Sequence, residues 1–209
     1  MCVGCITCSP TRAFLWQAEC TTVPSTAVNQ SELYLREIVL RRDDVPDFGR
    51  YPFALPAVAN LTRLPFEQPV TFLIGENGAG KSTLLEAMAY GPRALHEQSH
   101  GESFLALVQN RFRGSGLYLL DEPEAALSPT RQMSLVARIH ALVERRSQFI
   151  IATHSPILLA YPRATIYHCG PSGLQAVAYE DTEHFRVTRD FLTRYPTMLR
   201  TLLGDDVMA

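Results

Sequence analysis

The feature that most limits how this chain can fold is an apolar run that leads directly into a glycine-rich loop. Residues 70–74 read VTFLI, which predicts a strand covered on both faces. Residues 75–82 follow at once as GENGAGKS and fit the pattern G-x-x-x-x-G-K-[ST]. Residues 81–90 are then rich in helix formers, and Gly91-Pro92 ends that run. The order of strand, glycine loop and helix predicts a parallel α/β fold.

A loop of this pattern binds the phosphates of a nucleotide. Its glycines let successive backbone N–H groups turn inward, and the following helix adds partial positive charge. We expect Lys81 to reach the β- and γ-phosphates and the Ser82 hydroxyl to ligate Mg²⁺. The alternative is a glycine-rich turn that binds nothing. The predicted residues that bind ATP and Mg²⁺ here are Gly75, Glu76, Asn77, Gly78, Ala79, Gly80, Lys81, Ser82 and Thr83.

Two further apolar runs end in polar residues suited to phosphoryl transfer. Residues 117–120 lead into Asp121 and Glu122, at the edge of a parallel sheet where ligands bind. We expect Asp121 to hold Mg²⁺ through water and Glu122 to orient or deprotonate the attacking water. Residues 149–152 lead to His154, which would converge on the γ-phosphate. An ordinary strand-end turn and a structural histidine are the alternatives. The predicted catalytic residues are therefore Lys81, Glu122 and His154, and the predicted metal ligands are Ser82 and Asp121.

Short buried strands separated by helices predict a three-layer α/β sandwich with a mostly parallel sheet and a small antiparallel element. Residues 1–30 show neither helical nor strand periodicity, so we expect a disordered leader before one ordered domain at residues 31–209. The other predicted elements are a strand at 34–39, a proline-rich loop at 51–69 with a short edge strand at 58–61, helices at 103–111, 129–146 and 183–203, and a hairpin of residues 164–168 and 174–178. Ser128 is the predicted N-cap of the helix at 129–146.

Composition limits the class of protein. The chain of 209 residues has a formal net charge of -2 and a pI near 6.3, which argues against a surface wholly devoted to nucleic acid. A local basic face that binds DNA remains an alternative. Its candidate residues are Arg111, Arg113, Arg131, Arg145 and Arg146. No stretch has the roughly 18 apolar residues of a bilayer span, so we expect a cytoplasmic protein. The run of Cys2, Cys5 and Cys8 has Arg12 where a fourth ligand would stand, which favours a leader over a metal loop.

Four motifs in order resemble those of the ABC ATPase superfamily. They are GENGAGKST at residues 75–83, a signature-like QSHGES at 98–103, LYLLDEP at 117–123 and ATHSP at 152–156. With SHGE in place of LSGGQ, DEPEAALSP after the second strand, and THSP around the histidine, the chain is most similar to the soluble branch related to SMC and recombination-repair ATPases. The resemblance covers about residues 33 to 203.

The resemblance implies an ABC-like fold and an ATP-induced homodimer arranged head to tail. Ser99 and Gly101 of one subunit would then contact the γ-phosphate bound by the other, with an ordinary helix cap as the alternative. Residues 124–128 would cross the dimer interface. An aromatic residue upstream of the glycine loop would stack on adenine, and Phe48, Tyr51 and Phe53 are the candidates by proximity.

One departure from that family bears on catalysis. Only 17 residues separate Lys81 from Ser99, and the longer segment that carries the helical lid and the Q-loop glutamine in the family is missing. Either the chain is naturally reduced, or residues between Met88 and Leu95 have been omitted, which we favour because both flanks are family-like. The predicted function is ATP hydrolysis by a soluble switch that serves DNA maintenance or defence, together with DNA or another protein. A nucleotide-binding module that does not hydrolyse ATP is the second reading, and the ATP-binding subunit of a transporter is a weaker third.

Overall fold

The computed structural model describes residues 16–20, 33–89, 112 and 114–204. The strands are β1 (Trp16–Cys20), β2 (Leu35–Leu40), β3 (Arg63–Pro65), β4 (Val70–Ile74), β5 (Leu117–Asp121), β6 (Gln148–Ala152), β7 (Thr165–Gly170) and β8 (Gly173–Val177). The α-helices are α1 (Pro56–Ala59), α2 (Lys81–Ala89), α3 (Pro129–Val143), α4 (Pro156–Leu159) and α5 (Glu183–Leu203). Single turns of 3-10 helix lie at Arg42–Asp44 and Tyr179–Asp181.

The described strands form two sheets. The larger has the order β5-β6-β4-β7-β8, in which β8 runs antiparallel to β7 and the other four strands are parallel. The smaller is antiparallel with the order β1-β2-β3. The predicted α/β class, a mostly parallel sheet with an added antiparallel element, is confirmed. The strand order places β4, which carries the glycine loop, directly between β6 and β7.

The larger sheet is covered on both faces, as the apolar sequence of β4 predicts. Phe72 and Ile74 pack into a cluster with Leu135 and Ile139 of α3, whereas Leu73 packs into a second cluster with α1, α2 and the smaller sheet. This division follows from the alternation of side chains along a strand. Every residue of β4 and of β6 is buried. The sheet is therefore the middle layer of three.

The smaller sheet is joined to the larger one by buried polar contacts. The Gln148 side chain accepts from the backbone N–H of Leu35 and donates to its carbonyl, both at 2.8 Å. The Tyr167 hydroxyl donates to the carbonyl of Pro65 at 2.9 Å. Because Gln148 opens β6 and Tyr167 lies in β7, these bonds align the smaller sheet with the two strands that flank β4.

The longer helices have clear ends. Ser128 caps α3, as predicted, by accepting a hydrogen bond from the N–H of Arg131 at 3.4 Å. Thr182 caps α5 in the same way through Phe185, and α5 is interrupted by non-helical dihedral angles at Arg194, two residues before Pro196. None of the helices in the described ranges combines the length and the apolarity that crossing a bilayer requires.

Several predicted boundaries differ from the structure. The edge strand expected at residues 58–61 is wrong, because Pro56 opens helix α1 there and the strand that pairs with β2 is β3, at Arg63–Pro65. Within the expected leader, Trp16–Cys20 forms β1 and pairs with β2, a contact that no local pattern reveals. The predicted hairpin is present as β7 and β8. The helix predicted at 103–111 lies outside the described residues.

Candidate active site

The glycine loop is seated against strand β7. Gly75 has φ of 140°, and a Cβ built on it would overlap the carbonyl oxygen of Cys169 and lie 3.2 Å from the Cys169 Cβ. Gly78 also has positive φ, at 83°, but a Cβ there would meet nothing within 4 Å. Glycine is therefore required at residue 75 by close contact as well as by backbone conformation. Gly80 is buried against Leu55 and Ala57 at the start of α2.

Lys81 is the first residue of α2, and its side chain folds back over the loop. Its Nζ donates to the carbonyl of Gly75 at 2.7 Å and to that of Glu76 at 3.1 Å, and the residue is only 5% exposed. Both acceptors are neutral backbone carbonyls, so neither bond is to a carboxylate that would offset an ammonium charge beside the loop amides. Burial raises the pKa of the nearby Cys169 thiol to about 11, and the Lys81 charge lowers it in part.

The remaining loop residues face outward. Glu76, Asn77, Gly78 and Ser82 are exposed, and Ala79 and Thr83 are half-buried. The Thr83 hydroxyl lies 3.4 Å from the Tyr51 hydroxyl.

The three aromatic candidates for stacking on adenine differ in exposure and packing. Tyr51 is 71% exposed beside the start of α2, whereas Phe53 is buried in the core and Phe48 packs edge-on against it. Arg42 also covers the ring of Phe48 at 4.4 Å. Tyr51 is therefore the candidate with an open ring.

The end of β5 carries the two predicted carboxylates. Asp121 is the exposed last residue of the strand. Glu122 follows with φ of 44°, and its backbone N–H donates to the carbonyl of Ala152 in β6 at 2.9 Å. A left-handed conformation at a glutamate costs free energy, and such strain concentrates at functional sites. The turn directs the Glu122 side chain toward β6 rather than along β5, since Glu122 Oε1 lies 3.7 Å from His154 Nε2.

The end of β6 brings three side chains together around His154. Its backbone N–H donates to Glu124 Oε1 at 2.6 Å, and its Nδ1 lies 3.1 Å from His184 Nε2. Its Nε2 is the atom that faces Glu122. Both ring nitrogens therefore face side chains from other elements of the fold.

The register of the parallel strands shows how these groups come to one edge. Ala152 of β6 pairs with Leu73 of β4 on one side and with Asp121 of β5 on the other. Neighbouring strands lie about 4.8 Å apart, so the three strand ends fall within about 10 Å across the sheet. The N–H of Thr153 also donates to the carbonyl of Leu73 at 3.2 Å. This bond holds the residue before His154 beside the end of β4, where the glycine loop begins.

His184, from α5, completes this cluster. Its pKa is lowered below the ordinary value of 6.5, first by burial and next by His154, with smaller effects from Lys81 and His168. Glu183 acts in the opposite direction and raises it. A histidine with a lowered pKa is neutral near pH 7.

Sequence reasoning missed two of these residues. The sequence places Glu124 in a segment predicted to cross a dimer interface and gives no sign of its contact within the chain, where its Oε1 accepts from the backbone N–H of His154. No local pattern points to His184, since it follows an ordinary helix cap on Thr182. The one available signal is that His184 is a histidine in the first turn of a helix, which is too common to be specific.

Some predicted residues are not brought together with the site. Ser99, Gly101, Arg111 and Arg113, like Cys2, Cys5 and Cys8, lie outside the described residues. Arg131 lies in the first turn of α3, while Arg145 and Arg146 follow its end. About 20 Å of helix therefore separates Arg131 from Arg145 and Arg146. The structure describes three of the five arginines, Arg131, Arg145 and Arg146, and places them at opposite ends of α3.

The oxygen donors at this edge fit Mg²⁺ and not a softer metal. Ser82 supplies an exposed hydroxyl and Asp121 an exposed carboxylate. Mg²⁺ is bound through one or two carboxylates together with phosphate oxygens and water, so this small set is of the right kind. In the ranges that the structure describes, no group of three or more histidine, cysteine or carboxylate side chains forms a metal cluster.

Comparison with family models gives matches that contain this edge. Residues 94–160 match a model described as "AAA domain, putative AbiEii toxin, Type IV TA system", and residues 48–102 match one described as "AAA domain". Each match covers less than a third of the chain. A search of curated proteins gives no match. The matches support a nucleotide-binding ATPase of the P-loop superfamily.

Proposed function

We propose that this chain binds ATP with Mg²⁺ on residues 75–83 and hydrolyses it to ADP and phosphate. The observation that carries the proposal is the meeting of three neighbouring parallel strands, β4, β6 and β5, at one edge of the sheet. Each contributes a different group that phosphoryl transfer needs: a phosphate-binding loop, a histidine and a pair of carboxylates.

Binding of the phosphates follows from the loop geometry. The amide groups of residues 75–80 and the start of α2 supply donors and partial positive charge for the phosphate oxygens. Lys81 Nζ, held by the carbonyls of Gly75 and Glu76, would exchange them for β- and γ-phosphate oxygens. Ser82 and Asp121 would hold Mg²⁺, which when bound would neutralise part of the phosphate charge. Tyr51 is the side chain that we propose to stack on adenine.

Hydrolysis follows from the carboxylate that faces the histidine. Glu122 accepts a proton as the water oxygen forms its bond to the γ-phosphorus. The bond from the γ-phosphorus to the β–γ bridging oxygen breaks, and ADP leaves with that electron pair. His154 Nε2, 3.7 Å from Glu122, would donate a hydrogen bond to the γ-phosphate. Charge that develops on the phosphate is thus met by Lys81 and His154.

We further propose that ATP joins two copies of the chain head to tail. Ser99 and Gly101 of one copy would contact the γ-phosphate held by the other, in the manner that the resemblance to ABC and SMC-like ATPases implies. Two copies are then needed for a complete site. The process served is DNA maintenance or defence, and the family description that names a Type IV TA system favours defence.

Phosphate release by the wild type, Glu122→Gln and Glu144→Gln tests the catalytic proposal. Glu144 is an exposed glutamate that caps the end of α3, away from β5 and β6, so its variant controls for loss of a carboxylate. We expect Glu122→Gln to lower kcat by at least about 100-fold while MgATP still binds, and Glu144→Gln to match the wild type. Equal turnover in all three proteins would refute a catalytic role for Glu122.

Calorimetric titration of MgATP into wild type and Lys81→Ala tests the binding site itself. Loss of a charge-assisted hydrogen bond costs about 1.5 to 3 kcal/mol, so binding should weaken about 10- to 100-fold. Tight binding without any turnover by the wild type would instead support a regulatory module, the reading that the short spacing between Lys81 and Ser99 favours.

Light scattering on Glu122→Gln tests the dimer. We expect the mass to double with MgATP and to stay that of one chain with MgADP. A second change, Ser99→Arg, should keep the protein monomeric with MgATP while nucleotide binding to the single chain persists. A monomer under every condition contradicts the head-to-tail arrangement.

A further inference from the structure

The contact between His154 and His184 restricts where their protons can lie. His154 Nδ1 and His184 Nε2 are 3.1 Å apart, and the two ring centroids are 5.3 Å apart with an angle of 45° between the planes. His184 is fixed at the start of α5 because the Thr182 hydroxyl accepts from the N–H of Phe185 and donates to the carbonyl of Tyr179. A hydrogen bond between two imidazole nitrogens requires one to carry the proton and the other to be free of it.

The second nitrogen of His154 decides between the two arrangements. His154 Nε2 is buried, has no hydrogen-bond partner among the described residues, and lies 3.7 Å from Glu122 Oε1. A carboxylate only accepts hydrogen bonds, and a phosphate oxygen does the same at neutral pH. Only a proton on Nε2 makes the interaction with either group favourable. A neutral His154 that carries this proton has an unprotonated Nδ1, which must then accept from His184.

We propose that His184 is a positioning residue whose Nε2–H donates to His154 Nδ1 and thereby holds His154 as the Nε2–H tautomer. This inference rests on the proposed function, since that tautomer is the one able to donate to a γ-phosphate. His184 does not touch the reacting atoms itself. It acts through the ring of His154, in the way that outer partners set the tautomer of a ligating or catalytic histidine.

The surroundings of His184 agree with a neutral donor. Burial and the neighbouring His154 lower the pKa of His184, so its Nδ1 is unprotonated when its Nε2 donates. His184 Nδ1 is buried without a hydrogen-bond partner in the described part of the chain. An acceptor left unpaired in this way is tolerated better than an unpaired buried N–H group. Glu124 meanwhile accepts from the backbone N–H of His154, so the backbone and the ring of this residue each have a partner from another element.

Long-range proton–nitrogen NMR on histidine-labelled protein tests the tautomer directly. In the wild type we expect His154 to show the pattern of a neutral ring protonated on Nε2. His184→Leu removes the donor at similar volume, and we expect the His154 signals to shift toward a mixture of tautomers. His184→Gln places an amide N–H at the reach of Nε2 and should restore the wild-type pattern. Thermal melts of both variants confirm that each is folded.

Turnover of the same proteins tests the consequence for catalysis. We expect His184→Leu to lower kcat about 10- to 100-fold with MgATP affinity unchanged, and His184→Gln to recover most of that loss. His140→Gln is the matched control, because His140 makes a comparable contact, 3.2 Å from the Tyr161 hydroxyl, and lies on α3 rather than on the elements that carry Glu122, His154 and His184. It should leave kcat and the His154 signals as they are.

The two readouts separate this inference from the proposed function. A wild-type His154 protonated on Nδ1 or on both nitrogens overturns the inference whether or not ATP is hydrolysed. If the wild type hydrolyses ATP, an equal kcat in His184→Leu overturns it as well. Equal loss in His184→Leu and His184→Gln also overturns it. If no protein turns over ATP but His154 still loses its Nε2–H pattern in His184→Leu alone, the proposed hydrolysis fails and the positioning contact stands.

Discussion

Replacing Gly75 with alanine tests how the glycine loop is seated on the sheet. The new methyl group would overlap the Cys169 carbonyl oxygen in β7 and lie 3.2 Å from its Cβ, and φ of 140° is unfavourable for a residue with a Cβ. Backbone strain of this kind costs about 1 to 3 kcal/mol and forced contact in a packed region about 1 to 3 kcal/mol more. We therefore expect Gly75→Ala to reduce the free energy of unfolding by about 2 to 6 kcal/mol.

Gly78→Ala is the matched control for that prediction. Its φ of 83° is also unfavourable for alanine, but the added methyl would meet nothing within 4 Å, so only strain of about 1 to 2 kcal/mol applies. Urea unfolding followed by circular dichroism, without nucleotide, measures both free energies and shows from the m-value whether unfolding stays cooperative. A Gly78→Ala protein as unstable as Gly75→Ala would refute the reasoning, because contact with β7 would then add nothing.

Three further predictions concern the packing around the site. Gln148→Leu leaves the N–H and carbonyl of Leu35 without their buried partner and should lower the free energy of unfolding by about 2 to 4 kcal/mol in urea, unlike the same change at exposed Gln175. Cys169, with a pKa raised to about 11, should resist iodoacetamide in the folded protein and react after unfolding, as peptide mass spectrometry would show. Burial and His154 lower the pKa of His184 in the folded state, so the unfolded chain binds that proton more tightly. The free energy of unfolding should therefore fall as the pH drops below about 6.5. Urea midpoints measured against pH should fall less steeply for His184→Gln than for the wild type.

The fold class was predictable because its signals are local and repeat along the chain. A strand buried on both faces reads as an apolar run, and the runs at β4 and β6 were each found within a residue of their limits. The run at β5 was found equally well, although this edge strand is mostly half-buried. A glycine loop between such a strand and a helix carries its own phosphate-binding geometry, so the position of Lys81 and its neighbours could be anticipated. The cap at Ser128 and the hairpin of β7 and β8 have similarly local causes.

The short elements before β4 were harder to predict, for the opposite reason. Residues 56–65 contain two prolines and several small apolar residues, a composition that suits either a helical turn or an edge strand. The choice depends on which of them pairs with β2, and that strand lies more than 20 residues earlier. The same holds for β1, whose pairing with β2 joins segments that share no local pattern.

The support around His154 was the least predictable part of the site, and physical causes explain why. Glu124 and His184 each lie 30 residues from His154 along the chain, one before it and one after it. Neither spacing is a helix or strand period, so only the packing of β5, β6 and α5 brings the three side chains within hydrogen-bond distance. A motif can therefore name the histidine that we propose to face the γ-phosphate, whereas the proposed tautomer depends on a residue that only the tertiary structure brings beside it. It follows that a change which moves the first turn of α5, even without touching the glycine loop, should alter catalysis more than nucleotide binding.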